Sequence, residues 1–301
     1  MSLPNNNSLV SDFELGDAFP LSQERSTEEQ QSSGNHIYVS IADLIMDKVF
    51  YHPSLVDNNN DLLDIEQASL TSILSNQSVK EHFVSTMCTH IEGAISEQHK
   101  AVRICLSNSD SRGFSSLIAG TLEEKEENPA LGLRGVIRFA SSSYASAFAL
   151  ECEVIKSLRE KDIDVEIVVP FVRTLADAAT IIDKLAEQGL PRGLNGLKVL
   201  FSVDVPSAVL LADRLLHYFD GAVVNLDNLT QFTLGIDRTA EKLEHSFDSE
   251  NEAVIHLIEL ISKATLTAKK PLVLVAHAIQ PHKKLHAYLV EQNRIEVIIT
   301  G

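Results

Sequence analysis

Cysteine is scarce in this chain, and the few present follow no pattern. Cys88, Cys105 and Cys152 are odd in number and widely spaced. Such spacing fits neither a disulfide framework nor a zinc-ligand set, and it reads as a protein of the reducing cytoplasm. Positive charge is also short: 25 lysines and arginines stand against 42 aspartates and glutamates, a formal net charge of -17. A surface this acidic repels phosphate backbones and anionic lipid, which argues against nucleic-acid and membrane partners. An anionic ligand would need a local basic pocket to oppose that field. No apolar run approaches about 18 residues, so no transmembrane helix is expected. The N-terminus lacks a basic segment followed by an apolar core, so no signal peptide is expected. Nothing resembles a glycine-rich nucleotide turn, and no internal repeat is visible.

What remains is a chain of 301 residues, 44% hydrophobic. That supplies a full core for one large α/β domain or two small ones. Residues 1–35 are polar and biased, as in "STEEQQSSG", and predict a disordered tail. "NHIYVSIADL" predicts the first strand. "KVFYHPSLVDNNNDLLD" carries a proline and an asparagine cluster and reads mostly as loop. Residues 65–99 recur at helical spacing, with a break at "SNQS". Beyond residue 100, strands such as "AVRICLS", "VEIVVPFV", "GLKVLFSVDV", "GAVVNL", "PLVLVAH" and "IEVIITG" alternate with amphipathic helices. These are continuous Val/Ile/Leu runs, as expected of parallel strands buried on both faces. The alternation predicts a TIM-type (β/α)8 barrel over residues 36–301, incomplete near its second strand at residues 48–60. A doubly wound open sheet is the other arrangement this pattern allows.

From "EENPALGLRG" onward the chain resembles the C-terminal barrel of phosphoenolpyruvate synthase, shared with pyruvate phosphate dikinase and with enzyme I of the sugar phosphotransferase system. The motifs "SAFALECEVIKSLREK", "VEIVVPFVRT", "LAEQGLPRGLNGLKV", "VPSAVLLADRLLHYFDG" and "LTQFTLGIDR" continue the resemblance in order. It covers residues 100–301 well and residues 36–100 poorly. In that family, two further domains bind ATP and carry a phosphohistidine, and the barrel holds pyruvate as its enolate on Mg²⁺. The resemblance therefore implies the carbon-substrate half of such an enzyme, standing alone.

Enolate chemistry calls for carboxylates on a divalent metal, arginines on the phosphoryl group and an acid for the enol carbon. The arginine of "LGLRG" matches at Arg134, either as a phosphate-facing group or as a surface arginine. A second family arginine falls on Cys105; Arg103, two residues earlier on the same face, is the nearest substitute. The third falls in the shortened "KVFYHPS", where no arginine remains. The family's metal-binding glutamate is Asp204 here. Its asparagine–aspartate pair is swapped, to Asp227 and Asn228. Asp227 is then a metal ligand, or a solvated or capping aspartate. Mg²⁺ is expected to bind weakly through Asp204 and Asp227, or not at all.

The family's proton-donating cysteine aligns with Val275, which carries no proton. His277, two residues on, is the one acid, base or metal ligand nearby, or else a rim histidine. His277, His282 and His286 lie close in sequence, but no thiolate or carboxylate shares their spacing, so zinc is not expected. The chain keeps the structural signature and changes the catalytic positions. It is read as a phosphoenolpyruvate-synthase-like pseudoenzyme that acts by binding a small carboxylate or phosphate ligand, a second copy of itself or another protein. The alternative is an active metal-dependent phosphotransferase subunit or lyase on a small keto acid, built on Asp204, Asp227 and His277.

Overall fold

The computed structural model describes residues 15–18, 36–57, 62–277, 282–292 and 295–300. Eight parallel strands run in chain order: β1 (Leu15–Ala18), β2 (His36–Ser40), β3 (Ala101–Cys105), β4 (Val165–Val169), β5 (Lys198–Val203), β6 (Gly221–Asn225), β7 (Leu272–Ala276) and β8 (Ile295–Ile299). β1 pairs with both β2 and β8, which closes the sheet into a barrel. The fold is a TIM-type barrel, and the open doubly wound sheet is excluded.

Each strand from β2 onward is apolar on both sides, for two different reasons. Val102, Ile104, Ile167 and Phe201 belong to the core that packs beneath the outer helices. Their alternating neighbours Tyr38, Cys105, Val168, Leu200, Val223 and Val273 fill the barrel interior. The outer layer includes the helices Val79–Ala94, Ala145–Arg159, Leu175–Glu187 and Glu252–Ala268. The break at "SNQS" separates Asp64–Leu74 from Val79–Ala94, where Ser78 accepts from Glu81 N and Glu81 returns to Ser78 N, a reciprocal cap.

Two expectations about the N-terminal third are corrected. Leu15–Ala18, read as part of a disordered tail, is the first barrel strand, so His36–Ser40 is the second. The rest of the expected tail lies outside the described residues. The gap placed at residues 48–60 does not interrupt the barrel, because no strand belongs there. Ile45–Val49 is a π-helical turn, Pro53–Val56 is a 3₁₀ turn, and Tyr51 bridges to Ile118. The slightest part of the sheet is instead β1, four residues long and joined to each neighbour by two register pairs.

The N-terminal end of the barrel is plugged by charge. Arg103 Nε donates to Glu166 Oε2 at 2.9 Å, and its Nη1 lies 2.7 Å from Glu296 Oε2. Lys198 and His36 complete the set, each 2.7 Å from one of those glutamates. Burial of Arg103, Glu166 and Glu296 is tolerated because each has an opposite charge at hydrogen-bond distance.

Candidate functional site

A cavity of about 400 Å³ opens at the other end of the barrel, where the C-terminal ends of the strands meet their following loops. In barrels of this type the loops at that end are free to vary while the strands hold them. Its wall includes Asp43, Arg134, Asp227, Arg238, Val275 and His277. A wider cleft of about 800 Å³ adjoins it and shares Asp110, Arg134, Asn228 and Arg238.

Asp227 and Asn228 owe their positions to an abrupt junction. Strand β6 passes straight into the helix Leu226–Leu234, with Asn225 as N-cap; its Oδ1 accepts from Asn228 N at 3.0 Å. Successive residues on a helix point about 100° apart. Asn228 therefore turns inward and is buried, while Asp227 stays at the mouth. An aspartate in the first turn also suits the helix dipole.

Asp204 lies at the end of β5 with 0% exposure. Its Oδ2 accepts from Phe171 N at 2.9 Å and its Oδ1 from Asn228 Nδ2 at 2.7 Å. It does not line the cavity. The neutral amide of Asn228 thus faces the buried carboxylate, and the charged Asp227 is engaged elsewhere. Asp227 Oδ2 lies 3.2 Å from Arg238 Nη1 and 3.1 Å from His277 Nε2. The donor set as arranged does not fit Mg²⁺, which needs oxygens converging on one octahedral centre. Among the described residues, no three His, Cys, Asp or Glu side chains cluster in a metal-holding group.

Arg134 is placed by a backbone fit. Gly135 has φ of +57°, and a Cβ there would come within 2.5 Å of Pro170 O and of Phe171 Cβ. Only glycine allows this close approach at a left-handed angle. Phe171 itself has φ of +52°, an uncommon angle for an aromatic residue, held by its N–H bond to Asp204. The Arg134 guanidinium lies over the Phe171 ring at 4.2 Å from its centroid. Its Nε and Nη2 donate to Asn108 O at 3.2 and 2.8 Å, and Nη1 reaches Ala130 O at 3.4 Å. It is 7% exposed and makes no ion pair among the described residues. Burial pulls this guanidinium below its ordinary value; the Arg238 and Arg173 cations add to that, and Asp110 and Asp204 oppose it.

The remaining predicted positions divide sharply. Arg103 is corrected: it belongs to the charge plug at the N-terminal end, does not line the cavity and is no substitute for a substrate arginine. Cys105 fills the barrel centre beside Tyr38, and burial drives its thiol well above the usual range. Val275 forms part of the cavity wall. His277 is 67% exposed and has partners, Asp227 on Nε2 and Thr300 Oγ1 on Nδ1 at 3.1 Å.

Asp43 and Arg238 belong to the same wall and were not singled out from the sequence. Asp43 follows the end of β2, and burial raises its carboxyl, with the Ser40 hydrogen bond and the charges of His277 and Arg238 opposing. Arg238 closes the "LTQFTLGIDR" motif. Gly235, at φ of +65°, ends the helix and turns the chain so that the arginine meets Asp227.

Comparison with known proteins bears on this geometry. The family model for the PEP-binding domain of PEP-utilising enzymes matches residues 74–277. The chain belongs to this family. Over 197 residues it is 42% identical to a phosphoenolpyruvate synthase of Pseudomonas aeruginosa, covering 64% of this chain and 25% of that one. It is 38% identical over 197 residues to the synthase of Escherichia coli, with the same coverage. The synthase of Helicobacter pylori matches at 30% over 257 residues, 83% of this chain and 32% of that one. The chain thus spans a quarter to a third of these relatives. The family match takes in Arg134, Asp204, Asp227, Asn228, Arg238, Val275 and His277.

Proposed function

We propose that this phosphoenolpyruvate-synthase-like barrel is a catalytically impaired pseudoenzyme that binds a small carboxylate or phosphate anion in the mouth cavity. The observation that carries the reading is Val275. It stands in the cavity wall at the position the family resemblance gives to the proton donor, and it has no proton to give. General acid–base catalysis contributes about 10²–10⁴-fold, so its loss alone leaves a slow enzyme at best. The anion site is supported by Arg134, a buried cation bonded only to carbonyl oxygens and open to the cavity. Mg²⁺ is not required on this reading, since Asp204 has both oxygens engaged by N–H donors.

Calorimetry with phosphoenolpyruvate, with Mg²⁺ and again with EDTA, tests it. Binding is expected in both buffers, with little difference between them, and Arg134→Met is expected to abolish it. A protein that takes up no phosphoenolpyruvate in either buffer is not a pseudoenzyme of this kind.

A second reading is favoured by one observation. His277 bridges Asp227 and Thr300 at 3.1 Å on each side while its ring remains exposed at the cavity. A carboxylate-oriented imidazole can move a proton, and a site rebuilt on it would serve a small keto acid.

A further inference from the structure

The wall of the mouth cavity carries charges of both signs: Asp43, Asp110 and Asp227 stand with Arg134 and Arg238. On a molecule of net charge -17, a wall so balanced holds an anion poorly by charge alone. The inner end of a ligand meets a different surface, the floor. Strand β2 supplies part of it. Alternate residues of a strand share a face. Ile37 and Val39 belong to the outer core, so His36, Tyr38 and Ser40 are the inward set. His36 joins the charge plug, Ser40 reaches the mouth wall, and Tyr38 stands between them at the bottom of the cavity.

We infer that Tyr38 is the hydrogen-bond donor of the cavity floor and binds an oxygen of a short monocarboxylic acid there. The inference rests on the reading of the cavity as a site for small anions. Tyr38 is 5% exposed and lines the cavity. A buried phenol ordinarily finds an oxygen or nitrogen partner. Tyr38 bonds to neither among the described residues; its hydrogen-bonding neighbour is the Cys105 sulfur. Sulfur is a weak acceptor, and the proton of this thiol is directed to Leu106 O at 3.4 Å. A ligand oxygen is a better partner than the one Tyr38 has. Burial, joined by Cys105 and by the charges of Asp204 and Asp43, holds the phenol far above its ordinary value. Tyr38 therefore keeps its proton and meets an anion as a donor.

The surroundings select the acceptor. Val168, Leu200, Val223, Val273 and Val275 share the barrel interior with Tyr38. One hydroxyl among apolar side chains does not replace the hydration of a doubly charged phosphate. A carboxylate asks for less: one oxygen on Tyr38, with the carbon skeleton of a short acid against Val275. A phosphate is expected to stay nearer the rim, at Arg134. A neutral donor also escapes cancellation by the aspartates of the wall.

Calorimetric titration with pyruvate, inorganic phosphate and phosphoenolpyruvate tests the assignment. Tyr38→Phe keeps the ring and is expected to weaken pyruvate about tenfold, with inorganic phosphate within about twofold of the parent. A merely structural role for Tyr38 would shift both probes together. Cys105→Ser gives the phenol an oxygen acceptor, and it is expected to weaken pyruvate by a smaller factor with Tyr38 in place. The chain has no tryptophan and five tyrosines, so near-ultraviolet circular dichroism reads tyrosine environments, and achiral pyruvate adds no signal of its own. Pyruvate is expected to change the tyrosine bands of the parent and to leave those of Tyr38→Phe unchanged. If Tyr38→Phe binds pyruvate as the parent does, the inference fails and the anion cavity stands. The same holds if the parent binds phosphate or phosphoenolpyruvate but not pyruvate. If the parent binds none of these probes, both fail.

Discussion

Asp204 keeps its charge in a place with no solvent, and two N–H donors are what make that tolerable. Removing the side chain as Asp204→Ala leaves Phe171 N and the Asn228 amide buried without partners, a cost of about 1–3 kcal/mol for each group. Urea denaturation should therefore show a loss of about 2–5 kcal/mol, and Asp204→Asn a smaller one, since its amide oxygen still accepts one bond. A loss below about 0.5 kcal/mol for the alanine variant would mean that these bonds carry no weight. The sequence made Asp204 legible as an acid at a strand end. Its partners were not legible, because they depend on the phase of a helix that begins without a loop at Leu226. Arg103 illustrates the same limit. Parity placed it on the inner face with Cys105, correctly, but two residues along a strand are about 6.6 Å of depth. That distance separates the middle of the barrel from the charge plug with Glu166 and Glu296.

Strands β3 to β8 were readable because each is a Val/Ile/Leu run between turn signals, and the helices because their apolar positions recur with the right period. β1 offered neither cue. Leu15–Ala18 reads LGDA, too short for any period and set in a polar stretch, and what defines it is pairing with β2 and β8. The family resemblance, with "KVFYHPS" shortened, points instead to a gap at residues 48–60. β1 nonetheless closes the sheet, and without it β2 and β8 would each present an unpaired edge. A chain lacking residues 1–18 is expected to melt several degrees below one lacking residues 1–14; about 1 kcal/mol corresponds to roughly 2–4 °C at this size. Superimposable melting curves would show that β1 adds nothing to the closed barrel.

The molecule as a whole combines a family barrel, matched over residues 74–277, with a mouth cavity whose wall includes Asp43, Arg134, Asp227, Arg238, Val275 and His277. On the reading proposed above, Val275 stands in the proton donor's place, and the amide of Asn228 faces Asp204. The acidic composition calls for a local basic pocket if an anion is to bind, and the folded chain brings Arg134 and Arg238 to one opening together with Asp43, Asp110 and Asp227. Whether this mouth is a binding site or a rebuilt enzyme is decided by enolisation alone, which needs neither ATP nor a phosphoryl carrier. The measurement is hydrogen–deuterium exchange at the methyl group of pyruvate, followed by proton NMR in D₂O with Mg²⁺ or Mn²⁺ present. A pseudoenzyme lacking the donor at Val275 should exchange no faster than a protein-free control. Exchange well above that control, lost in Asp204→Asn or His277→Gln, would contradict it and establish the rebuilt proton-transfer site in its place.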